Sequence, residues 1–278
     1  MIREIAPAKI NLALHVRRRR DDGYHDIETL FAFARDGDVV RVAVAQAEAE
    51  AGSLVITGPF AAGLTATGDN LVARAARAFA DSFGIGDGHA ITLEKHLPVA
   101  SGVGGGSADA AATLRALARL HAIPLIDPRL HIIAAALGAD VPACLLGRTT
   151  LGTGKGDALV EIMGAPGTPL LLVNPLVPVS TAAVFAAWDG KDRGPIPDGA
   201  LLDRARAGRN DLEPSATTLA PVIADVRAML NDSPGVTLAR MSGSGATCFA
   251  LFDTIGEREA AAVLAQRRGW WTLGTSLA

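Results

Sequence analysis

Residues 97–111 read LPVASGVGGGSADAA, and four of the five positions from 102 to 106 are glycine. Residues 90–94 predict a short strand before this stretch, and the alanine-rich run 107–120 predicts a helix after it. Glycines permit positive φ and lack a Cβ atom, so backbone N–H groups can converge on an anion, and a helix N-terminus adds its own free N–H groups. We therefore predict a phosphate-binding loop. The alternative is a flexible loop before a capped helix.

Three familiar nucleotide-binding patterns do not fit the chain. A Walker A loop requires G-x4-G-K-[ST], but Gly154-Lys155 is followed by Gly156 and has Thr149 at the first glycine position. A Rossmann fingerprint needs an acidic residue about twenty positions on, where residues 120–123 read LHAI. The HRD and DFG sequences of protein kinases do not occur. The loop therefore belongs to another nucleotide-binding architecture.

The composition predicts a folded, cytoplasmic protein of two modest domains. The chain has 278 residues, 49% of them hydrophobic, and a net charge of −3, which argues against nucleic acid as a partner. Its two cysteines lie in apolar stretches, which indicates buried thiols in a reducing compartment. The N-terminus lacks the apolar core of a secretory signal, and we expect no membrane partner. The tract GAPGTP at 164–169 predicts a boundary between domains 1–163 and 164–278.

Strands and helices alternate in both halves, which predicts an α/β or α+β fold with two layers per domain. Alternation in residues 10–16 predicts a half-buried strand. Asp69-Asn70 and Asp127-Pro128 are helix-starting signals, and Asp140-Val141-Pro142 repeats the second of them. The other predicted strands are 39–44, 149–162 (strands around glycine turns), 170–173, 237–241, 247–252 and 270–273. The other predicted helices are 181–188, 199–207, 219–230 and 257–267.

Residues 98–107 are similar to the second motif of the GHMP kinase superfamily, which includes galactokinase, homoserine kinase and mevalonate kinase. Residues 6–12 (APAKINL) resemble the first motif, and residues 241–247 (MSGSGAT) resemble the third. DGYH at 22–25, DNL at 69–71 and LGADVP at 137–142 further resemble the family of kinases that act on 4-diphosphocytidyl-2-C-methyl-D-erythritol. The resemblance covers essentially the whole chain and is thinner from 191 to 230.

This resemblance implies an α+β two-domain GHMP kinase fold. The N-terminal domain would be like the second domain of ribosomal protein S5, and the C-terminal domain would be ferredoxin-like. The implied reaction is ATP- and Mg²⁺-dependent phosphorylation of the tertiary 2-hydroxyl of the methylerythritol unit, in non-mevalonate isoprenoid biosynthesis. The implied partner is a small cytidine diphosphate sugar alcohol, and the oligomeric state stays open.

Two residues resemble the family's catalytic pair. Asp140 would accept the proton of the attacking alcohol, which is a poor nucleophile at neutral pH. Its alternative role is to cap the helix that follows. Lys9 would keep that carboxylate ionised and offset charge developing on the γ-phosphate. The alternative for Lys9 is a solvated surface lysine.

Other residues resemble the family's substrate contacts. Tyr24, the chain's single tyrosine, and His25 would hold the cytosine by stacking and hydrogen bonds, and Phe185 would stack on its other face, with Thr181 nearby. The alternatives are an ordinary turn at Tyr24 and a core position for Phe185. Three residues from the first and third motifs complete the implied set, although the third motif also fits a plain hairpin turn: Asn11, Ser242 and Gly243.

The implied nucleotide contacts are Asn70 and Leu71 for adenine, and the loop residues Pro98, Val99, Ala100, Ser101, Gly102, Val103, Gly104, Gly105, Gly106, Ser107 and Ala108 for phosphates. Capping by Asn70 is the rival role. Ser107 is predicted as the N-cap, or its hydroxyl faces Mg²⁺ or a phosphate; no other metal ligand is assigned. Ala108 stands where the family commonly has a second serine, so it has no side-chain role.

Two basic segments have competing interpretations. Lys95 and His96 contact nucleotide or simply end a strand. The four arginines at 17–20 steer an anionic substrate or form a solvated loop, and the solvated loop is favoured.

Two other functions compete with the cytidyl-substrate kinase. They are another kinase of the superfamily, for mevalonate or homoserine, and a non-catalytic sensor built on the kinase fold.

Overall fold

The computed structural model describes residues 1–45, 52–86 and 88–278. The chain forms two compact units, the first from Met1–Ala8, Asp36–Val99 and Gly104–Gly147, the second from Lys9–Arg35, Ala100–Val103 and Arg148–Ala278. The described elements are, in chain order, β1 (Ile2–Arg19), β2 (His25–Val44), β3 (Ser53–Thr57), α1 (Leu71–Phe83), β4 (His89–Glu94), α2 (Gly105–Leu120), α3 (Pro128–Leu137), α4 (Val141–Leu146), β5 (Thr150–Thr153), β6 (Ala158–Glu161), β7 (Pro169–Asn174), α5 (Thr181–Ala186), α6 (Leu201–Ala207), α7 (Glu213–Leu219), α8 (Val222–Asn231), β8 (Val236–Met241), β9 (Cys248–Phe252), α9 (Ile255–Gln266) and β10 (Trp271–Ser276).

The first unit contains a β-α-β arrangement that leads into the glycine loop. β3 pairs in parallel with β4, with Ser53 opposite Ala90, and α1 is the crossover between them. β4 also pairs antiparallel with the end of β2. The loop therefore begins where a central strand of this unit ends.

Local signals set the ends of α1. The Asn70 side chain accepts a hydrogen bond from the backbone N–H of Val72, and Gly84 ends the helix with φ +64°. The predicted helix to residue 83 is confirmed. Similarly, Asp127 caps α3 as predicted, by accepting a hydrogen bond from the N–H of Arg129.

The helix after the loop, α2, is buried on most of its surface. Alanines fill positions 108, 110, 111, 112, 116 and 118, and all six are buried. Small side chains let α1 and α4 pack closely on α2, with which both make contacts. The helix that presents its N-terminus to the loop is therefore held on several sides.

The second unit contains a four-stranded antiparallel sheet in the order β10-β7-β9-β8. Its chain order, a strand, helices, two strands, a helix and a strand, is the ferredoxin-like arrangement. Buried residues of the sheet such as Leu171 and Val173 pack with Ile223 of α8 and Ala261 of α9. The ferredoxin-like expectation for the C-terminal part of the chain is confirmed.

Several predicted elements differ from those observed. The strand at 10–16 is longer, and it is buried on both faces rather than one. The helix predicted at 219–230 corresponds to α8, which begins at Val222, and α7, which precedes it, was not predicted. β3 and the first part of β2 were not predicted. The tract 164–169 lies inside the second unit, so these units are a different division from domains 1–163 and 164–278, which stay a prediction.

Candidate active site

The three motifs meet within the second unit. The backbone N–H of Lys9 donates to the carbonyl of Val103 at 2.9 Å, which joins the first motif to the glycine loop. The Ser242 hydroxyl of the third motif accepts from the N–H of Asn11 at 3.2 Å and donates to the carbonyl of Gly102 at 3.0 Å. Segments far apart in sequence therefore form one hydrogen-bonded assembly.

Glycine is required where these segments touch. Gly102 has φ +80°, and a Cβ atom on it would lie 2.6 Å from the carbonyl oxygen of Ser242 and 2.7 Å from that of Gly245. Gly243 has φ +56°, and its Cβ would lie 3.0 Å from the Gly102 carbonyl oxygen. The third motif is indeed a turn between β8 and β9, as its alternative predicted, but it is a turn packed on the glycine loop.

Lys9 is a buried cation. Its Nζ donates to Oδ1 of Asn11 at 3.0 Å and lies 5.0 Å from the centroid of the Phe31 ring. Asn11 in turn donates through Nδ2 to the hydroxyl of Thr29 at 2.8 Å. The lysine side chain is 3% exposed, so the alternative of a solvated surface lysine is wrong.

Asp140 precedes α4 without capping it. Its backbone is in the right-handed helical region, and within residues 88–278 its side chain makes no cap hydrogen bond to α4. The capping alternative is therefore wrong for Asp140, whereas Asp127, which directly precedes Pro128, does cap its helix. The catalytic role of Asp140 stays a prediction.

The N-terminus of α2 differs from its prediction. The helix begins at Gly105 and its N-cap is Gly104, with φ +64° and no side-chain cap within residues 88–278. Ser107 is thus inside the first turn, and its prediction as N-cap is wrong. The uncapped first-turn N–H groups are the donors that an anion would use. Ala108 is buried, in line with its lack of a side-chain role.

The adenine candidates lie at the start of α1. The Asn70 side chain caps α1 and also donates through Nδ2 to the Thr65 carbonyl at 3.1 Å. Leu71 Cδ1 lies 3.4 Å from where a Cβ of Gly106 would be, so Leu71 borders the first turn of α2. Capping by Asn70 is observed, and the adenine contact stays a prediction for both residues.

Two of the predicted base-binding residues, His25 and Phe185, contact each other, and His25 also contacts Trp188. The His25 ring lies 5.0 Å from that of Phe185 and 5.8 Å from that of Trp188. Burial, with a smaller contribution from Arg19, lowers the pKa of His25, so its imidazole is neutral at pH 7. Its Nε2 is buried and has no hydrogen-bond partner within the described part of the chain. That nitrogen can bond to a ligand.

Tyr24 stands apart from that ring cluster. Its side chain is exposed by 54%, and Nζ of Lys155 lies 4.8 Å from the centroid of its ring. No sequence pattern had selected Lys155 except the rejected Walker A alignment. A ring with a cation over it is suited to hold an aromatic base beside a phosphate.

Sequence reasoning missed Asn210 and Asp211, which lie where the resemblance is thin. Asn210 donates through Nδ2 to the carbonyls of Met241 and Gly243, both at 2.8 Å, and so holds the third motif. Asp211 accepts from the N–H of Val16 at 2.9 Å. Their only sequence signal is an adjacent pair of short polar residues before an apolar one. Thr181 bonds to the hydroxyl of Ser244 at 2.8 Å, in the same turn.

The arginines at 17–20 lie at the end of β1 and have polar partners. Arg17 to Arg19 are the last residues of the strand and Arg20 follows it, so the loop part of the prediction is wrong for the first three. Arg18 and Arg20 flank Asp26 at 2.5 and 2.8 Å. Arg17 pairs with Glu28 and Asp192, and Arg19 donates to the carbonyls of Ala186 and Trp188. The Arg18 side chain is 74% exposed, so it is solvated as predicted, and the ion pairs offset part of the positive charge.

Lys95 directly follows β4 and pairs with two acidic side chains. It is buried, and its Nζ donates to Asp38 and, at 2.8 Å, to Asp109. Burial raises the pKa of Asp109 to about 8 against the lowering effect of Lys95, and the nearby Asp38 raises it further. Asp109 is therefore protonated at pH 7. Asp38 accepts hydrogen bonds from Lys95 and from two backbone N–H groups.

Compared with the natural protein, we expect the Asp109→Asn variant to gain in relative stability as the pH rises from 5 to 8. The folded protein keeps Asp109 protonated up to about pH 8, whereas the unfolded chain releases that proton near its ordinary value of 3.8. Folding therefore binds a proton, and that contribution to stability is lost as the pH rises through 8, by at most about 1.4 kcal/mol per pH unit. An amide has no proton to bind. Urea unfolding of both proteins at pH 5.5 and 8.5 would contradict this if their difference in unfolding free energy were unchanged.

Two further observations concern the described residues, which are 1–45, 52–86 and 88–278. No group of three or more His, Cys, Asp or Glu residues that could hold a metal ion is found among them. Within the same residues, no helix is long and apolar enough to cross a membrane.

Comparison with known proteins places the chain in a family. A model of the GHMP kinases N terminal domain matches residues 70–148, and one of the GHMP kinases C terminal matches residues 198–268. The 4-diphosphocytidyl-2-C-methyl-D-erythritol kinase of Rhizorhabdus wittichii is 56% identical over 280 residues, covering 99% of this chain and 94% of that protein. The chain belongs to the 4-diphosphocytidyl-2-C-methyl-D-erythritol kinase family of the GHMP kinases. A second member, from Novosphingobium aromaticivorans, is 50% identical over 99% of this chain and 93% of its own length.

Solved structures agree with this family. A crystal structure of a 4-(cytidine 5'-diphospho)-2C-methyl-D-erythritol kinase matches with a TM-score of 0.84 and 35% identity, covering 100% of this chain and 99% of the other. A homoserine kinase from Cytophaga hutchinsonii matches with a TM-score of 0.70 at 18% identity over 99% of this chain and 95% of that one, which shows a shared fold. The predicted two-domain GHMP kinase fold is confirmed. As a member of this kinase family, the chain is an enzyme, a transferase that uses ATP.

Proposed function

We propose that this chain is a cytoplasmic kinase that transfers the γ-phosphoryl group of ATP to the 2-hydroxyl of 4-diphosphocytidyl-2-C-methyl-D-erythritol. The observation that carries the proposal is the His25–Phe185 ring pair, in which the buried Nε2 of His25 has no hydrogen-bond partner among the described residues. A substrate with a nucleobase needs an aromatic surface and a hydrogen-bonding group, and one without a nucleobase needs neither. The curated relatives carry the name of this activity.

Asp140 acts as the general base in the proposal. It accepts the proton of the tertiary hydroxyl as the oxygen attacks phosphorus, and the bond between the γ-phosphorus and the bridging oxygen of ADP breaks. Its place in the LGADVP segment at the start of α4 supports this role, because that segment resembles the one that carries the base in this kinase family.

Lys9 supplies positive charge in the proposal. Its ammonium contacts the Asn11 amide oxygen and lies over the Phe31 ring, and the side chain is 3% exposed. A buried cation in a low-dielectric setting stabilises a nearby anion more than a solvated one does. This is the property needed to offset charge on the transferring phosphoryl group.

The glycine loop and the first turn of α2 would bind the ATP phosphates through backbone N–H groups. Mg²⁺ belongs to the proposal as well, and the first turn of α2 fits a shared site because the Ser107 hydroxyl lies within it. A magnesium ion binds through few protein ligands together with substrate phosphates, and it neutralises charge on them. The remaining ligands would come from ATP and water.

We expect 4-diphosphocytidyl-2-C-methyl-D-erythritol to be turned over with a kcat/KM at least about a hundredfold above that of homoserine or mevalonate, because polar groups of the base site stay unpaired with those alcohols. Coupled ADP release with each alcohol measures this. Equal or greater turnover of homoserine or mevalonate would exclude the proposal and favour another GHMP activity.

A variant of the base site links that preference to structure. Phe185→Leu keeps an apolar side chain but removes the ring, so we expect the KM for the cytidyl substrate to rise about tenfold, since base stacking contributes about 1–3 kcal/mol. The KM for ATP should stay within about twofold, because Phe185 does not belong to the proposed nucleotide loop. A parallel rise in both KM values would show a general loss of structure instead.

A further inference from the structure

A buried ionic cluster in the first unit joins the two ends of the glycine loop. Lys95 directly follows β4, where the loop begins, and its Nζ bridges Asp38 and Asp109. The three side chains are 0–4% exposed. We name this group the Lys95 clasp.

Each acidic side chain of the clasp holds one end of the loop. Asp38 accepts hydrogen bonds from the backbone N–H groups of His96 and Leu97 at 2.5 and 2.9 Å, and so fixes the residues that enter the loop. Asp109 lies on α2 just after its first turn, and so fixes the helix to which the loop leads. Lys95 connects the two acidic side chains.

The clasp also lies against the start of α2. A Cβ atom on Gly105 would lie 3.4 Å from Nζ of Lys95 and 3.7 Å from Oδ2 of Asp38. The first residue of the helix is thus in close approach to the ammonium and a carboxylate. Any movement of the clasp would shift the helix end whose N–H groups bind phosphate.

Stability alone is a weak reason for such a cluster. Burying an ion pair costs desolvation energy that its mutual attraction often only offsets, and apolar residues of similar volume frequently stabilise as well. What charged and hydrogen-bonded groups add is a defined geometry, because their contacts are directional. Nothing in the proposed phosphoryl transfer uses these three side chains, so their geometry is the property to explain.

We propose that Lys95 is a positioning residue that, with Asp38 and Asp109, sets the separation of the two ends of the glycine loop and thereby the alignment of the first α2 N–H groups with the nucleotide phosphates. The inference rests on the proposed ATP-binding role of the loop. It concerns the affinity for nucleotide and leaves the recognition of the alcohol substrate unchanged.

The chain offers a matched control for packing. His89 is the first residue of β4 and His121 follows the last residue of α2, and their Nε2 atoms lie 2.7 Å apart. This pair joins the same two elements as the Lys95 clasp, at their opposite ends. A change at His121 therefore weakens the packing of β4 on α2 without touching the loop.

The test compares Asp109→Ala, Asp109→Asn and His121→Ala in the full chain. We expect Asp109→Ala to raise the KM for ATP about tenfold, since small misplacements of binding groups cost one to two orders of magnitude, with the KM for the alcohol unchanged within about twofold. Asp109→Asn keeps an oxygen acceptor for Lys95 and should restore the KM for ATP to within about threefold of the natural value. His121→Ala should leave the KM for ATP unchanged, although it should lower the melting temperature about as much as Asp109→Ala does.

The proposal is overturned if Asp109→Ala and His121→Ala change the KM for ATP equally, or if Asp109→Asn does not restore it. If Asp109→Ala does not fold, Asp109→Ser replaces it under the same criteria, because a serine hydroxyl is too short to reach Lys95. The Kd for ADP, measured by calorimetry on each variant, separates a failure of the positioning role of Lys95 from a failure of the proposed function. An inactive natural protein that still binds ADP would remove the proposed function and leave the clasp to be judged by these Kd values.

Discussion

Replacing Asp140 by asparagine should lower kcat about a thousandfold while the protein keeps its affinity for ATP and its melting temperature. An amide cannot accept the proton of the attacking alcohol, and a general base contributes between a hundredfold and ten-thousandfold to the rate. The melting temperature should be kept because asparagine has nearly the same size and shape as aspartate, and no cap hydrogen bond to α4 is lost within residues 88–278. ADP release at saturating substrate, with ADP calorimetry and thermal unfolding on the same sample, measures all three quantities.

Asp127 provides the matched control, since it also precedes a proline at a helix start. Asp127→Asn should leave kcat unchanged, and because asparagine is as good an N-cap as aspartate, it should cost little stability. Alanine at the two positions should separate them further: Asp127→Ala loses a cap worth about 1 kcal/mol, and Asp140→Ala does not. A kcat for Asp140→Asn within tenfold of the natural value would remove the assigned base.

The elements predicted well from sequence are those whose ends are set by nearby residues. Asn70 caps α1 by accepting a hydrogen bond from the N–H of Val72, two positions along the chain, and Gly84 ends this helix with a positive φ. Asp127 caps α3 directly before Pro128. Each of these interactions spans a few residues, so the pattern carries the information. The signal for α7 was also local, a proline at its start after Leu212, and was overlooked.

The elements missed from sequence depend on distant partners. β3 is five residues long, and it is a strand because Ser53 to Thr57 pair with β4, more than thirty positions on. The alternating pattern in β1 predicted a strand with one buried face. The strand exists, but other parts of the fold cover both of its faces. Long-range pairing overrides local pattern in both cases.

The candidate site divides in the same way. The glycine loop, Lys9 and Asp140 stand in recognisable motifs, so their types and spacing pointed to a kinase. The Lys95 clasp did not, because Lys95 and Asp38 are 57 positions apart and neither lies in a pattern that links them. Only the fold makes Asp109, an acid in the middle of an alanine-rich helix, a partner of that lysine.

Gly102→Ala should be among the most damaging single substitutions in the chain, with a loss of at least about 3 kcal/mol of unfolding free energy. Two costs combine at this position. A φ of +80° costs an L-residue about 1–2 kcal/mol, and the added Cβ would lie 2.6 and 2.7 Å from the carbonyl oxygens of Ser242 and Gly245, which are backbone atoms and cannot rotate away. The loop and the third motif would have to separate.

Gly63→Ala isolates the first of these costs. Gly63 has nearly the same φ, +83°, but a Cβ on it would meet nothing within 4 Å. We expect a loss of about 1–2 kcal/mol there, with kcat and both KM values unchanged. At Gly102 the added loss should be accompanied by a rise in the KM for ATP, because the displaced segment is the proposed phosphate loop. Urea unfolding and steady-state kinetics on the two variants decide the matter. Equal losses of stability would show that backbone conformation alone demands glycine at 102, and that contact with the third motif, which Ser242 reinforces by its hydrogen bond to the Gly102 carbonyl, does not constrain the loop.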